Sequence, residues 1–138
     1  MHLIDKADEE ILSIATPIMD NVMEGSTEID WEKHTRNHTE RAKTMISKAE
    51  LERQCKDYQS KFGFFTERAF IGVTRHRDYV NVIWKQKMST SPNEYPAILS
   101  LVQEGDKYLV ARCWVDLWQP REANKSLQAT PKRGAPEF

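Results

Sequence analysis

Apolar residues in this chain change their spacing once, at Phe62-Gly63-Phe64, and that change dictates a helical first half and a stranded second half. Upstream, Ile4, Ala7, Ile11, Leu12, Ala15, Ile18, Met19 and Val22 recur three and four positions apart, which makes one apolar stripe on a helix over residues 6–23. Asp5 is placed to cap it and Gly25 to end it. Pro17 has no amide hydrogen, so the pattern predicts a kink or a division there. Thr27 with Asp30 suggests the start of a second helix over residues 28–37, and residues 41–46 suit a short strand. Ser47 followed by Glu50 matches a capping box for a helix over residues 48–61, where Leu51, Cys55, Tyr58 and Phe62 share a face and Gly63 terminates.

Downstream the period is two. Phe65, Ala69, Ile71 and Val73 favour one face of a strand, and Val80, Val82, Trp84 and Met88 do so after a turn at Arg75-His76-Arg77-Asp78. A polar connection over residues 89–96 leads to strands over 98–104 and 107–118, which flank Gly105-Asp106, a strong hairpin signal. Helices followed by consecutive antiparallel strands define an α+β domain, with N-terminal helices packed on a curved, mainly antiparallel sheet of four or more strands. One domain over residues 1–118 accounts for all the patterned sequence, and residues 119–138 read as a flexible C-terminal tail.

Charged residues are 30% of the chain and its formal net charge is −1, so no global field recruits nucleic acid or an anionic membrane. No apolar run approaches the length of a membrane span, and the acidic start (Asp5, Asp8, Glu9, Glu10) is unlike a signal peptide; a cytoplasmic protein is expected. Cys55 falls on a helical stripe and Cys113 alternates with Ala111 and Val115, so both read as small core residues. The chain has no glycine-rich phosphate loop, no cysteine quartet and no Gly-x-Ser-x-Gly elbow, and no cofactor is expected.

The tail, Ser126-Leu-Gln-Ala-Thr-Pro-Lys-Arg-Gly-Ala-Pro-Glu-Phe138, resembles that of bacterial proteins encoded by integron gene cassettes, where the reading frame runs on into the recombination site. The body, from its element order, the Phe62-Gly63-Phe64 junction and the long last strand Tyr108-Leu-Val-Ala-Arg-Cys-Trp-Val-Asp-Leu-Trp118, resembles the nuclear transport factor 2-like superfamily. That resemblance implies a cone-shaped fold, a cavity between helices and sheet for a small apolar ligand, and a homodimer formed through the outer sheet face. Strand parity places Tyr108, Val110, Arg112, Trp114, Asp116 and Trp118 on one face of the last strand and Leu109, Ala111, Cys113, Val115 and Leu117 on the core face. Tyr108, Arg112, Trp114 and Trp118 are therefore the expected dimer interface, since aromatic and arginine residues are enriched at such surfaces.

An isomerase or hydratase in the same cavity would need a desolvated base and a neutral hydrogen-bond donor; Asp116 is the candidate base and Tyr79 or Tyr108 the candidate donor. The alternatives are a small-molecule-binding or accessory homodimer and an interaction module acting through the tryptophan-rich sheet face. His34 and His38, four apart with Asp30 a turn earlier, have the spacing of a helical metal pair but lack a third histidine; a solvated helix face is the competing expectation. Arg75, His76, Arg77, Lys85 and Lys87 form a small basic cluster near Tyr79 and Trp84, read as a solvated hairpin and not as a nucleic-acid site.

Overall fold

The computed structural model describes residues 1–117; Trp118 and the tail lie outside the described residues. A 3-10 turn, Leu3–Asp5, leads into α1 (Asp8–Glu28), followed by α2 (Trp31–His34), α3 (Glu40–Thr44), α4 (Lys48–Phe62), β1 (Phe65–Arg75), β2 (Tyr79–Met88), β3 (Glu94–Glu104) and β4 (Lys107–Val115). The fold is α+β, with the helices on one side of a four-stranded antiparallel sheet in the order β1-β2-β3-β4, not closed into a barrel.

Helix α1 is longer than the sequence predicts at its C-terminal end. It starts from Ala7, not from Asp5, and it runs undivided past Pro17 while the Ser13 and Thr16 hydroxyls donate back to the Glu9 and Leu12 carbonyls. Burial of Ile11, Ala15, Met19, Val22 and Met23 along one face offsets the hydrogen bond that proline removes. Gly25 does not end the helix either. A Cβ there would lie 2.5 Å from the His34 Cα, so the glycine serves the close approach of α2, and the chain leaves the helix at Ile29 (φ 55°).

Asp30, not Thr27, caps α2 by accepting from the Lys33 amide at 3.1 Å. The strand expected at residues 41–46 is instead α3, because the Thr39 hydroxyl accepts from the Ala42 amide and starts a helix. The extended backbone lies just upstream: the Val110 amide donates to Asn37 and the Thr39 amide to Val110, so residues 37–39 lie along the free edge of β4. Ser47 caps α4 as predicted, but the Glu50 side chain turns to Arg53 and Gln54, which leaves half a capping box. Gly63 (φ 82°) ends α4 as the sequence predicts.

Strand β2 follows the predicted alternation, with Val80, Val82, Trp84 and Met88 buried and Gln86 among them. Strand β3 starts at Glu94, earlier than predicted; Pro96 fits because β4 ends opposite it and the Pro96 carbonyl still accepts from the Asp116 amide. Irregularities change the faces of the other two strands. In β1, breaks between Phe65 and Arg68 and between Phe70 and Gly72 put Phe65, Arg68, Phe70 and Val73 opposite Met88, Gln86, Trp84 and Val82 on the helix side; Ala69 faces away, opposite Lys85. In β4, the break facing Ser100 and Leu101 gives Ala111 no direct partner. Val110, Cys113, Val115 and Leu117 are consequently buried, whereas Tyr108 packs against the core on the side opposite Arg112 and Trp114. The core face joins these strands to Ile11, Met19, Val22, Leu51, Cys55 and Tyr58 in one cluster.

Candidate functional site

Three of the four residues expected at a dimer interface are described, and two share a surface. Arg112 and Trp114 lie on the outer sheet face, where the guanidinium sits 4.2 Å from the Trp114 ring centroid. With Tyr79, Asn81, Ser100, Val102 and Ala111 they line a depression of about 270 Å³. Its floor is polar, because the buried Ser100 hydroxyl donates to Asn81 Oδ1 at 2.5 Å. Tyr79 forms one wall and stacks on His76, with centroids 4.4 Å apart and planes 12° from parallel. Tyr108 is on the other face, and Trp118 is outside the described residues.

The candidate catalytic residues are not brought together. Tyr79 pairs with Val102 near one end of β3, whereas the Asp116 amide bonds to Pro96 near the other. Six residues of strand separate those positions by about 20 Å. Tyr108 adds no donor to either, since it points toward the helix-covered side.

His34 and His38 are brought close, with ring centroids 5.3 Å apart, but not on one helix and not in solvent. His34 ends α2 with no exposed surface, and its Nδ1 lies 2.9 Å from the Val22 carbonyl, to which it donates. Burial lowers its pKa, partly opposed by that bond. His38 is also buried, so a packed interior pair replaces the expected solvated face. Asp30 is committed to its cap, and among the described residues no three histidine, cysteine or acidic side chains gather around a point that could hold a metal.

The basic hairpin is tied to the protein itself. Arg75 pairs with Asp8 at 2.8 Å and donates to the Ile4 and Lys6 carbonyls; Lys85 and Lys87 lie 3.9 Å from Glu94 and Glu67. Both cysteines are buried and free. Cys55 lies 3.2 Å from the Ser26 hydroxyl, which also bonds Tyr58 at 2.8 Å, and burial raises both the thiol and the phenol, the latter to about 12. Cys113 sits 3.6 Å from the Met19 sulfur, and burial pushes its thiol up to about 12. Neither is a thiolate nucleophile at neutral pH.

The feature missing from the sequence analysis is a groove of about 220 Å³ between α1 and β1, lined by Asp20, Met23, Glu24, Thr27, Glu28, Phe65, Thr66 and Arg68. The break in β1 turns Arg68 onto the helix side, where it is an ion-pair partner of Asp20 and lies 5.3 Å over the Trp84 ring. Lys33 bridges Glu24 and Glu28 at 3.2 and 2.9 Å. Directly across from Arg68, fully buried Gln86 donates through Nε2 to the Glu67 and Lys87 carbonyls at 3.3 and 2.9 Å. That fixes its amide, with Oε1 as the remaining acceptor. Among the described residues neither Gln86 Oε1 nor Arg68 Nε has a hydrogen-bond partner, although both are buried. A glutamine interrupting Val-x-Val-x-Trp-x-Gln-x-Met in a buried strand was the available sequence signal.

No helix among the described residues is long and apolar enough to cross a membrane. No protein-family model matches the chain, and no curated protein does. Among solved structures it is similar to that of Bdellovibrio bacteriovorus Bd1075, at 14% identity and a TM-score of 0.45, over 77% of this chain and 40% of that one. The chain thus spans less than half the length of that structural neighbour.

Proposed function

We propose that the chain is a small-molecule-binding homodimer of the nuclear transport factor 2-like type, carried in bacteria by an integron cassette, with its ligand in the α1–β1 groove. The observation that carries this reading is Arg68: a cation turned onto the helix-covered face of the sheet, lining a groove whose walls also include Met23 and Phe65. Convergent polar groups beside apolar contact can fix the orientation of a small molecule, and at about 220 Å³ this mostly polar groove admits a fragment-sized compound. The outer face, with Arg112 beside Trp114, is then left for contact between copies. An interaction module acting through that face is the second reading, favoured by the aromatic walls of its depression.

A thermal-shift screen against small organic molecules tests the proposal, because a compound that binds only the native state raises its melting temperature. Thr66→Trp should fill the groove from its exposed rim without removing Arg68. Stabilising compounds should lose their effect in that variant. A blank screen, or hits indifferent to Thr66→Trp, would sink the groove reading and leave the interaction module.

A further inference from the structure

We propose that His76 is a proton-operated switch on the outer sheet face: its protonation turns the Asn81 side chain over and converts the Ser100 hydroxyl, at the floor of the depression, from a hydrogen-bond acceptor into a donor. The switch does not depend on the groove being a ligand site. The Ser100 hydroxyl donates to Asn81 Oδ1 at 2.5 Å, so Nδ2 is the end of that amide turned to the exposed His76 ring, 3.4 Å from its Nε2. An amide nitrogen donates only; Nε2 therefore accepts, which leaves the ring hydrogen on Nδ1. The Thr74 hydroxyl, 3.0 Å from the same Nε2, donates to it as well. Tyr79 stacks on the ring, and the His76 amide donates to the Tyr79 carbonyl at 2.9 Å, so ring plane and turn are both held. In this state the Ser100 hydrogen is spent on Asn81, and the hydroxyl offers only lone pairs to the depression.

A proton taken from solvent onto Nε2 puts a hydrogen where two donors already point. The Thr74 hydroxyl relieves its share by rotating its own hydrogen away. Asn81 has both hydrogens on Nδ2, so its amide must turn about its last torsion. Oδ1 then accepts from Nε2–H, Nδ2 donates to Ser100 Oγ, and the Ser100 hydrogen is released toward the depression. The one new bond is that N–H, and no other group gives up a proton. Of the charged groups on the hairpin, Arg75 is held by Asp8, while Arg77 and Asp78 follow His76 in the turn with opposite signs. On β2 the titratable neighbour is Tyr79; on β3 the residues opposite Tyr79 and Asn81 are the uncharged Val102 and Ser100; on β4 Arg112 stands opposite Ser100. His76 is thus the group among these whose charge changes near neutral pH. Two copies in contact through this face, as proposed above, each bring one more positive charge to a surface that already carries Arg112, so their contact weakens as pH falls.

The isotope-labelled full chain, followed by NMR from about pH 8 to about pH 5, tests the switch. Above the His76 transition the Asn81 side-chain amide hydrogens should show cross-relaxation to the His76 ring hydrogens. Below it they should show cross-relaxation to the Ser100 Hβ hydrogens instead, with the same midpoint as the His76 ring signals. His76→Gln, an exposed substitution in the turn, should keep one Asn81 orientation at every pH. An Asn81 amide that keeps its neighbours through the His76 transition overturns the switch, and so does a reversal that persists in His76→Gln. Light scattering over the same range reads the consequence: the dissociation constant of the dimer should rise severalfold in the parent and stay level in His76→Gln. A parent that is monomeric throughout, or a dimer indifferent to pH while Asn81 turns, counts against contact through this face and leaves the switch standing.

Discussion

Two glycines in this chain look alike in sequence and have opposite reasons to exist. A Cβ on Gly25 would lie 2.5 Å from the backbone nitrogen and Cα of His34, atoms that cannot rotate away, so α1 and α2 would have to separate. A Cβ on Gly72 would meet nothing within 4 Å. Gly25→Ala should therefore lose about 1–3 kcal/mol through overpacking, despite alanine's better helix propensity. Gly72→Ala should be neutral or stabilising by up to about 1 kcal/mol, because it restricts the unfolded chain at no steric cost. Denaturant melts of the two variants check the pair; a Gly25→Ala protein as stable as the parent would refute the close approach. The sequence supports the reading of Gly25 as a helix terminator, since glycine often plays that part. What overrides it is a contact nine residues away in the chain, which no local pattern encodes.

Among the elements, those with unbroken periodicity were legible and those with an inserted residue were not. Strand β2 keeps its period throughout, and α4 carries both its Ser47 cap and its Gly63 stop where the sequence places them. An extra residue at each of two breaks in β1, and at one break in β4, exchanges the two faces locally; the first β1 break moves Arg68 toward the helices, and the β4 break moves Tyr108 away from Trp114. The groove was invisible for that reason: Arg68 counts as outward-facing until the break in β1 is known. Helix α2 was legible only as a helix, because its burial depends on α1 passing beneath His34. That burial has a consequence for pH. An unfolded histidine takes up a proton below about pH 6.5, while folded His34, with its pKa lowered by desolvation, resists doing so. Its contribution to stability is fully present above that pH and is lost as pH falls through the unfolded value toward the folded one. Stability measured at stepwise lower pH should fall less steeply for His34→Gln than for the parent, whatever the variant's stability at neutral pH. Parallel slopes would mean that His34 titrates alike in both states.

At the scale of the whole molecule, the sheet has one face closed by helices, while the other carries partly exposed apolar side chains among the described residues. On that outer face Ile83, Ile98, Val102, Leu109 and Trp114 are only partly covered, with Lys85 and Glu94 at one end. A two-fold pairing would place the same patch of each chain against its copy, and a stable interface of this kind covers about 800 Å² per partner. Trp114 is the residue whose burial such a contact would need most, since it is the largest side chain on the patch and holds Arg112 against its ring. A glutamate there puts an unpaired carboxylate into the contact, where desolvation costs several times more than any single contact gains. We expect the parent chain to have twice its single-chain mass by light scattering and Trp114→Glu to have the single-chain mass with an unchanged melting profile at high dilution. A monomeric parent, or a dimer that survives Trp114→Glu, would remove the outer face from the assembly. The depression at Tyr79, Asn81, Ser100, Arg112 and Trp114 would then stand open as a second concave surface of the same molecule.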